Sequence, residues 1–294
     1  MQKITMKKDK KSKEKLEKDA AFKEFKVPKR KQPIFNFFSK ILFKPIFGVK
    51  VESMIKDLPD KAIIASIHAA KHGPMAIAVS YPKFSAMWGH HAMLGSYRDR
   101  FSYLRNVLYI QKMHKNKFIA TLKASYEAIF SIYIYKGMKI IGTYTDMRLL
   151  TTVRNSMDVL DSGASVIIFP EDSSEGYFDE VRGAFSGFIM LSMLYYKRTG
   201  EDLPVIPAYV SNKAKRLIIG KPRYVREMEL SGMSKDDISE VLKGDINSLF
   251  REYIATGAPV PCDVVENAPI RGKNYYSDEK NQNISEKQPN ATEN

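Results

Sequence analysis

Between residues 61 and 262, short apolar runs alternate with amphipathic helical stretches, and this alternation narrows the possible folds more than any other feature of the chain. Residues 62–67, 139–144, 165–169, 205–210 and 217–220 each read as a strand, and 84–88 as a further one. Most lack a polar residue at every second position, which is the pattern of strands covered on both faces. The intervening stretches have helical spacing. Phe118, Leu122, Tyr126, Ile129 and Phe130 share one face, as do Phe185, Phe188, Ile189, Ser192 and Tyr195. Residues 149–160 are amphipathic, with Gly163 placed to stop the helix. Ser234 with Asp237 reads as a capping box before a face made of Ile238, Val241, Leu242, Leu249, Phe250, Tyr253 and Ile254. Such an order predicts an α/β fold: a mainly parallel central sheet flanked by helices, preceded by an N-terminal amphipathic helical segment. The most apolar stretches, 126–135 and 188–196, are about half the ~20 residues a spanning helix needs and read as core.

Charge divides the 294 residues further. The chain carries a net +14. Residues 1–31 hold twelve lysines and Arg30 against Asp9, Glu14, Glu17, Asp19 and Glu24, a net +8. The arm lacks the apolar run and small-residue cleavage site of a signal peptide. Directly after it, Ile34, Phe35, Phe37, Phe38, Ile41, Leu42, Phe43, Ile46 and Phe47 crowd around Lys40 and Lys44. A helix of this kind either packs on its own core or lies in a bilayer interface with its lysines near lipid phosphates. The basic arm before it favours the bilayer. Four regions follow: a mobile basic arm (1–31), an amphipathic membrane-docking helical segment (32–60), the α/β domain (61–262) and a polar, disordered tail (263–294). The expected location is cytoplasmic, peripherally associated with the membrane. A single cysteine, Cys262, excludes a disulfide framework and a cysteine-cluster metal site. The charge admits nucleic acid, an anionic membrane surface or acidic small molecules. No nucleic-acid-binding motif accompanies it, so nucleic acid is an unlikely partner.

Three strand ends carry chemistry. His68 closes the 62–67 run, where open α/β sheets bind ligands, and an imidazole there can take a proton near neutral pH. By itself it is equally a polar residue at a sheet rim. His68 and His72 form an H-x-x-x-H pair, but Ala69 stands where a zinc protease carries glutamate. His90 and His91 are adjacent, so within a strand they would point to opposite faces. Phe169-Pro170-Glu171 leaves a buried run, which places Glu171 at the edge of the sheet. Arg148 lies six residues beyond Gly142 and offers a fork of donors suited to phosphate. No nucleophile elbow and no phosphate-cradling glycine loop occur.

Together these segments resemble the glycerolipid acyltransferase superfamily, which includes 1-acylglycerol-3-phosphate acyltransferase. That family carries N-H-x-x-x-x-D, G-x-x-x-x-x-R, F-P-E-G-T-R-S and V-x-P-[VI] in this order. Here His68 stands in the first block, with Ile67 for asparagine and Gly73 for aspartate. Gly142 to Arg148 makes the second, and Phe169-Pro170-Glu171 opens the third. Val205-Ile206-Pro207-Ala208 makes the fourth. The third block continues Asp172-Ser173-Ser174-Glu175, so its glycine and arginine are lost, and Arg182-Gly183-Ala184-Phe185 resembles the helix start that follows it. The resemblance implies a peripheral membrane acyltransferase of phospholipid biosynthesis. Its donor would be acyl-CoA or acyl carrier protein, and its acceptor a lysophospholipid or related lipid alcohol. His68 would be the general base. Arg148, Glu171, Lys71 and Arg182 would hold the acceptor. The acyl thioester is a co-substrate, and neither a cofactor nor a metal is implied. Gly73 leaves a second possibility: a non-catalytic lipid-binding relative.

Overall fold

The β-branched runs that read as strands assemble into one sheet. The structure is a computed structural model that describes residues 25–29, 32–69, 72–144, 146–262 and 265–277. Most of the basic arm and the part of the 263–294 tail beyond 277 lie outside the described residues; the start of that tail is not disordered, since residues 265–267 and 271–272 form strands. In chain order, α1 (Pro33–Phe38) continues through a π-helical turn, Ser39–Phe43, into α2 (Lys44–Phe47). Then come β1 (Lys50–Ser53), β2 (Ile55–Asp57), β3 (Ile63–Ser66), α3 (Gly73–Ser80) and β4 (Ser85–His90). Next are α4 (Tyr97–Ser102), a π-helix at Tyr103–Lys112, α5 (Lys117–Gly137), β5 (Ile140–Thr143), α6 (Leu149–Asp161) and β6 (Ser165–Ile168). The last third holds α7 (Gly187–Thr199), β7 (Glu201–Asp202), β8 (Pro204–Ser211), β9 (Arg216–Ile219), β10 (Arg223–Tyr224), α8 (Val225–Leu230), α9 (Lys235–Leu249), β11 (Val265–Asn267) and β12 (Arg271–Gly272).

The main sheet runs β1-β9-β8-β3-β6-β4-β5, with β10 pairing one end of β8. Strands β8, β3, β6, β4 and β5 are parallel. On the other side of β8, β9 is antiparallel to it and β1 is parallel to β9. The fold is therefore α/β with a mostly parallel sheet, as the alternation predicts. Every residue of β3 and β6 is buried, because helices cover both faces of the sheet. A buried Ile or Leu contributes about 1.5–3 kcal/mol, and Ile63, Ile64, Ile167 and Ile206 are each no more than 1% exposed. On α9, Ser234 closes a reciprocal capping box with Asp237, and Ile238, Leu242, Ile246 and Leu249 face the core.

The reading of 126–135 as core holds only in part: Ile134 and Tyr135 pack against the core, but α5 turns most of its large side chains outward. Phe118, Leu122, Tyr126, Ile129, Phe130 and Tyr133 are all exposed, and Ala120, Ala124, Ala128 and Ser131 face inward. The reason is close packing. Small residues one turn apart let α5 approach the π-helix and form a second core around Met93, Leu104 and Tyr109. Alanines line most of that inner face, and Tyr135 joins them at the C-terminal end of the helix. The stretch 188–196 does sit in the core, through Phe188, Ile189, Leu191 and Tyr195.

The N-terminal segment divides its apolar side chains between the core and the surface. Phe35, Phe43 and Phe47 pack against the core. Phe37, Phe38, Ile41, Leu42 and Ile46 are exposed. The docking depends on Gly137 at the end of α5: a Cβ there would lie 1.9 Å from the Phe35 ring.

Candidate active site

Five parallel strands release the chain at one edge of the sheet, and the chemically distinctive residues collect there. His68 lies just past β3, Glu171 just past β6, and His90 ends β4. Because β3 and β6 are direct neighbours, His68 and Glu171 meet. The backbone N–H of His68 donates to Glu171 Oε2 at 3.2 Å. The His68 ring meets Phe169 edge-on at 5.0 Å and stacks on Tyr177 at 5.3 Å. Two backbone bonds then hold the third block against the Arg182–Phe185 segment. Asp172 N–H donates to the Gly183 carbonyl and Phe185 N–H donates to the Pro170 carbonyl, each at 2.7 Å.

Burial governs the Glu171 carboxyl. It raises the pKa from the ordinary 4.5 to about 7, while the His68 N–H bond and the Lys112 charge pull the other way. Among the described residues, the buried Glu171 Oε1 has no hydrogen-bond partner. Lys112, at the end of the π-helix, supplies the cation. Its Nζ donates to Ser173 Oγ at 2.5 Å and lies 5.6 Å from the Tyr177 ring. Burial lowers the Lys112 pKa, and the Glu171 and Asp172 charges partly restore it. Lys112 thus enters the loop where the third block lost its arginine. No motif marks it, since only the packing of the π-helix brings it there.

The raised Glu171 pKa fixes a pH dependence. An acid whose folded pKa lies above its unfolded value adds stability fully below 4.5 and loses it as the pH rises through about 7. Glu171→Gln removes that loss, which is on the order of 2 kcal/mol. Thermal melts taken below 4.5 and above about 7 should differ less in the variant than in the wild type. An unchanged difference would mean that Glu171 ionises freely.

The loop after His68 is tightly wound. Ala69 has φ +44°, a left-handed conformation that costs a non-glycine residue roughly 1–2 kcal/mol. Gly73 follows at the start of α3. A Cβ at Gly73 would lie 2.0 Å from the His68 carbonyl oxygen and 2.8 Å from its carbonyl carbon. Position 73 therefore has no room for any side chain, aspartate included. His72 stacks on Phe47 at 5.4 Å and so packs on a different partner from His68. Lys71 lies outside the described residues.

At the neighbouring strand ends the rings form a ladder. Tyr103 stacks on His90 at 4.1 Å, His90 on His91 at 4.5 Å, and His91 on Tyr144 at 4.5 Å. The two histidines do not point to opposite faces, because β4 ends at His90 and His91 opens a 3-10 turn. His91 Nδ1–H donates to the Thr143 carbonyl at 3.0 Å. His90 Nδ1 accepts from Ala92 N–H at 3.3 Å, so a neutral His90 carries its proton on Nε2. Burial and the nearby His91 and Lys112 charges hold the His90 pKa at about 4. His90, Tyr103 and Tyr135 line a cavity of about 50 Å³ together with His68.

The two arginines stand at the periphery. The Arg148 guanidinium covers the Tyr144 ring at 4.5 Å and donates to Asp146 through Nε and Nη2. The Arg182 guanidinium lies 3.4 Å from the Phe178 ring centroid on an exposed loop. Among the described residues, no group of three His, Cys, Asp or Glu is arranged to hold a metal.

No protein-family profile matches the chain, and no curated protein does. Among solved structures the chain is similar to the crystal structure of the 1-acyl-sn-glycerophosphate (LPA) acyltransferase, PlsC, from Thermotoga maritima. The identity is 13% and the TM-score 0.43, over 76% of this chain and 79% of that one. At that distance the function has to be read from this chain's own residues.

Proposed function

We propose that the chain is a peripheral membrane acyltransferase. It moves a fatty acyl group from acyl-CoA or acyl carrier protein to the hydroxyl of a lysophospholipid such as 1-acylglycerol-3-phosphate. One observation carries this reading. Residues far apart in sequence, His68 and Glu171, are joined at the carboxyl edge of the sheet by a hydrogen bond from the His68 backbone N–H to the Glu171 carboxyl.

In this reading His68 takes the acceptor's hydroxyl proton as the oxygen attacks the thioester carbonyl. The tetrahedral intermediate then collapses, the C–S bond breaks, and the imidazolium returns the proton to the leaving thiolate. With no carboxylate at position 73, packing holds the ring: the Phe169 edge on one side and the Tyr177 face on the other. Glu171 receives the acceptor. With its pKa raised to about 7, it carries less negative charge beside a phosphate near neutral pH than an ordinary carboxylate would. Lys112 meets the headgroup. Arg148 and Arg182 supply further positive charge at the mouth, and Lys71, outside the described residues, is a further candidate to hold the acceptor. The helical part of the N-terminal segment, α1 through α2, docks the domain on the membrane, while residues 50–53 of the same segment form β1 of the main sheet.

A second reading, a lipid-binding relative without turnover, draws on Gly73. The experiment that separates the two incubates the purified chain with labelled acyl-CoA or acyl carrier protein. The acceptors are lysophosphatidic acid, other lysophospholipids and monoacylglycerol, and the products are resolved by chromatography. Acylated product from a phosphate-bearing acceptor is the expected result. Lipid binding with no product from any acceptor would favour the second reading.

A further inference from the structure

The largest anomaly of this surface is α5. Its sequence places Phe118, Ile119, Leu122, Tyr126, Ile129, Phe130 and Tyr133 within an arc of about 120°, at 100° per residue, and each is between 39% and 79% exposed. Contiguous apolar area of this kind marks a contact surface. It does not stand alone. The exposed Phe37, Phe38, Ile41, Leu42 and Ile46 belong to the neighbouring N-terminal segment. The two faces meet at an apolar groove of about 490 Å³, lined by Phe35, Phe38, Phe43, Tyr133, Ile134 and Gly137 among others. Across the last turn of α5, Tyr135 and Met138 line the small cavity beside His68.

Charge selects the occupant. The basic residues of α5, Lys117, Lys123 and Lys136, are exposed, and so is Lys44 of α2. The one acidic residue in α5, Glu127, hydrogen-bonds Tyr109, whose side chain is buried in the second core. The face is therefore apolar and aromatic with a cationic rim. A second copy of this chain would set lysine against lysine across such a contact. An anionic lipid surface complements both parts, with rings at the level of the headgroups and lysines near the phosphates.

We propose that the outer faces of α5 and of the α1–α2 segment form one surface that lies in the interface of an anionic bilayer. This goes beyond the acyl-transfer reading: the contact holds whether or not His68 turns over. It would open the site toward lipid from the side of α5.

The test uses the full chain and vesicles of phosphatidylcholine with or without phosphatidylglycerol. Exchanging Leu122, Tyr126, Ile129 and Tyr133 together for Gln should lower vesicle affinity at least about tenfold. The melting temperature should hold, because all four side chains are exposed. In a Cys262→Ser background, a solvent-sensitive fluorophore on Leu122→Cys should shift to the blue on adding anionic vesicles. Two results would overturn the proposal. In one, the label stays in water while the protein still sediments with vesicles, so that the N-terminal segment docks alone. In the other, the label shifts without lipid as the protein dimerises in analytical ultracentrifugation, so that a second copy covers the face. Acylation of a short-chain, monomerically dispersed lysolipid keeps the two readings apart. The glutamine variant should match the wild type there, and absence of turnover in both would count against acyl transfer and not against docking.

Discussion

Gly73→Asp, which restores the residue that the acyltransferase resemblance expects, is predicted to lower both stability and acyl transfer. The new Cβ would fall 2.0 Å from the His68 carbonyl oxygen, a backbone atom that no rotamer change can move. The loop must open. Overpacking of this kind costs about 1–3 kcal/mol, which for a domain of this size lowers the melting temperature by roughly 2–10 °C. The displaced atom belongs to the proposed base itself, and misplacing a catalytic group by about 1 Å can cost ~10²-fold in rate. Gly73→Ala should behave alike, since the clash comes from the Cβ and not from the charge. Melting curves and initial rates of the two variants check this. A Gly73→Asp protein that is faster than wild type would show instead that the site lacks only its carboxylate.

Lys112→Met should weaken recognition of a phosphate-bearing acceptor without slowing the chemical step. A hydrogen bond to a charged group contributes about 1.5–3 kcal/mol, so KM for lysophosphatidic acid should rise roughly 10- to 100-fold. The kcat for that acceptor should hold, and so should kcat/KM for monoacylglycerol, which has no phosphate. The exchange also removes a positive charge that lowers the Glu171 pKa, so the pH at which the fold loses Glu171's contribution should move up. An equal loss on both acceptors would make Lys112 a support for the Asp172–Ser173 loop, with no part in recognition.

The residues differ in how much of their role the sequence carries. Strands β3, β6 and β8 are legible because a strand covered on both faces has to be apolar throughout. The α9 capping box is legible because it needs only two residues three apart. That His68 and Glu171 share one edge follows once parallel strands are assumed, but their meeting requires β3 and β6 to be neighbours, which no local pattern records. The outward face of α5 is not legible. Its large side chains and its alanines form opposite arcs, and burying the larger area is the natural first choice. The Ala120, Ala124 and Ala128 ladder prevails because the π-helix comes close. Lys112 reaches the site by the same tertiary contact, which no local pattern records. Gly73 is the subtlest case: in sequence it reads as a lost aspartate, and in the structure it is a position without space for a Cβ.

The most direct test compares acyl transfer by the wild-type chain and His68→Ala under the same saturating lysophosphatidic acid and acyl donor. Loss of a general base costs about 10²–10⁴-fold, and the half-buried ring leaves melting temperature little changed. The account predicts clear wild-type turnover and a fall of that size in the variant. Equal rates in the two proteins would contradict it.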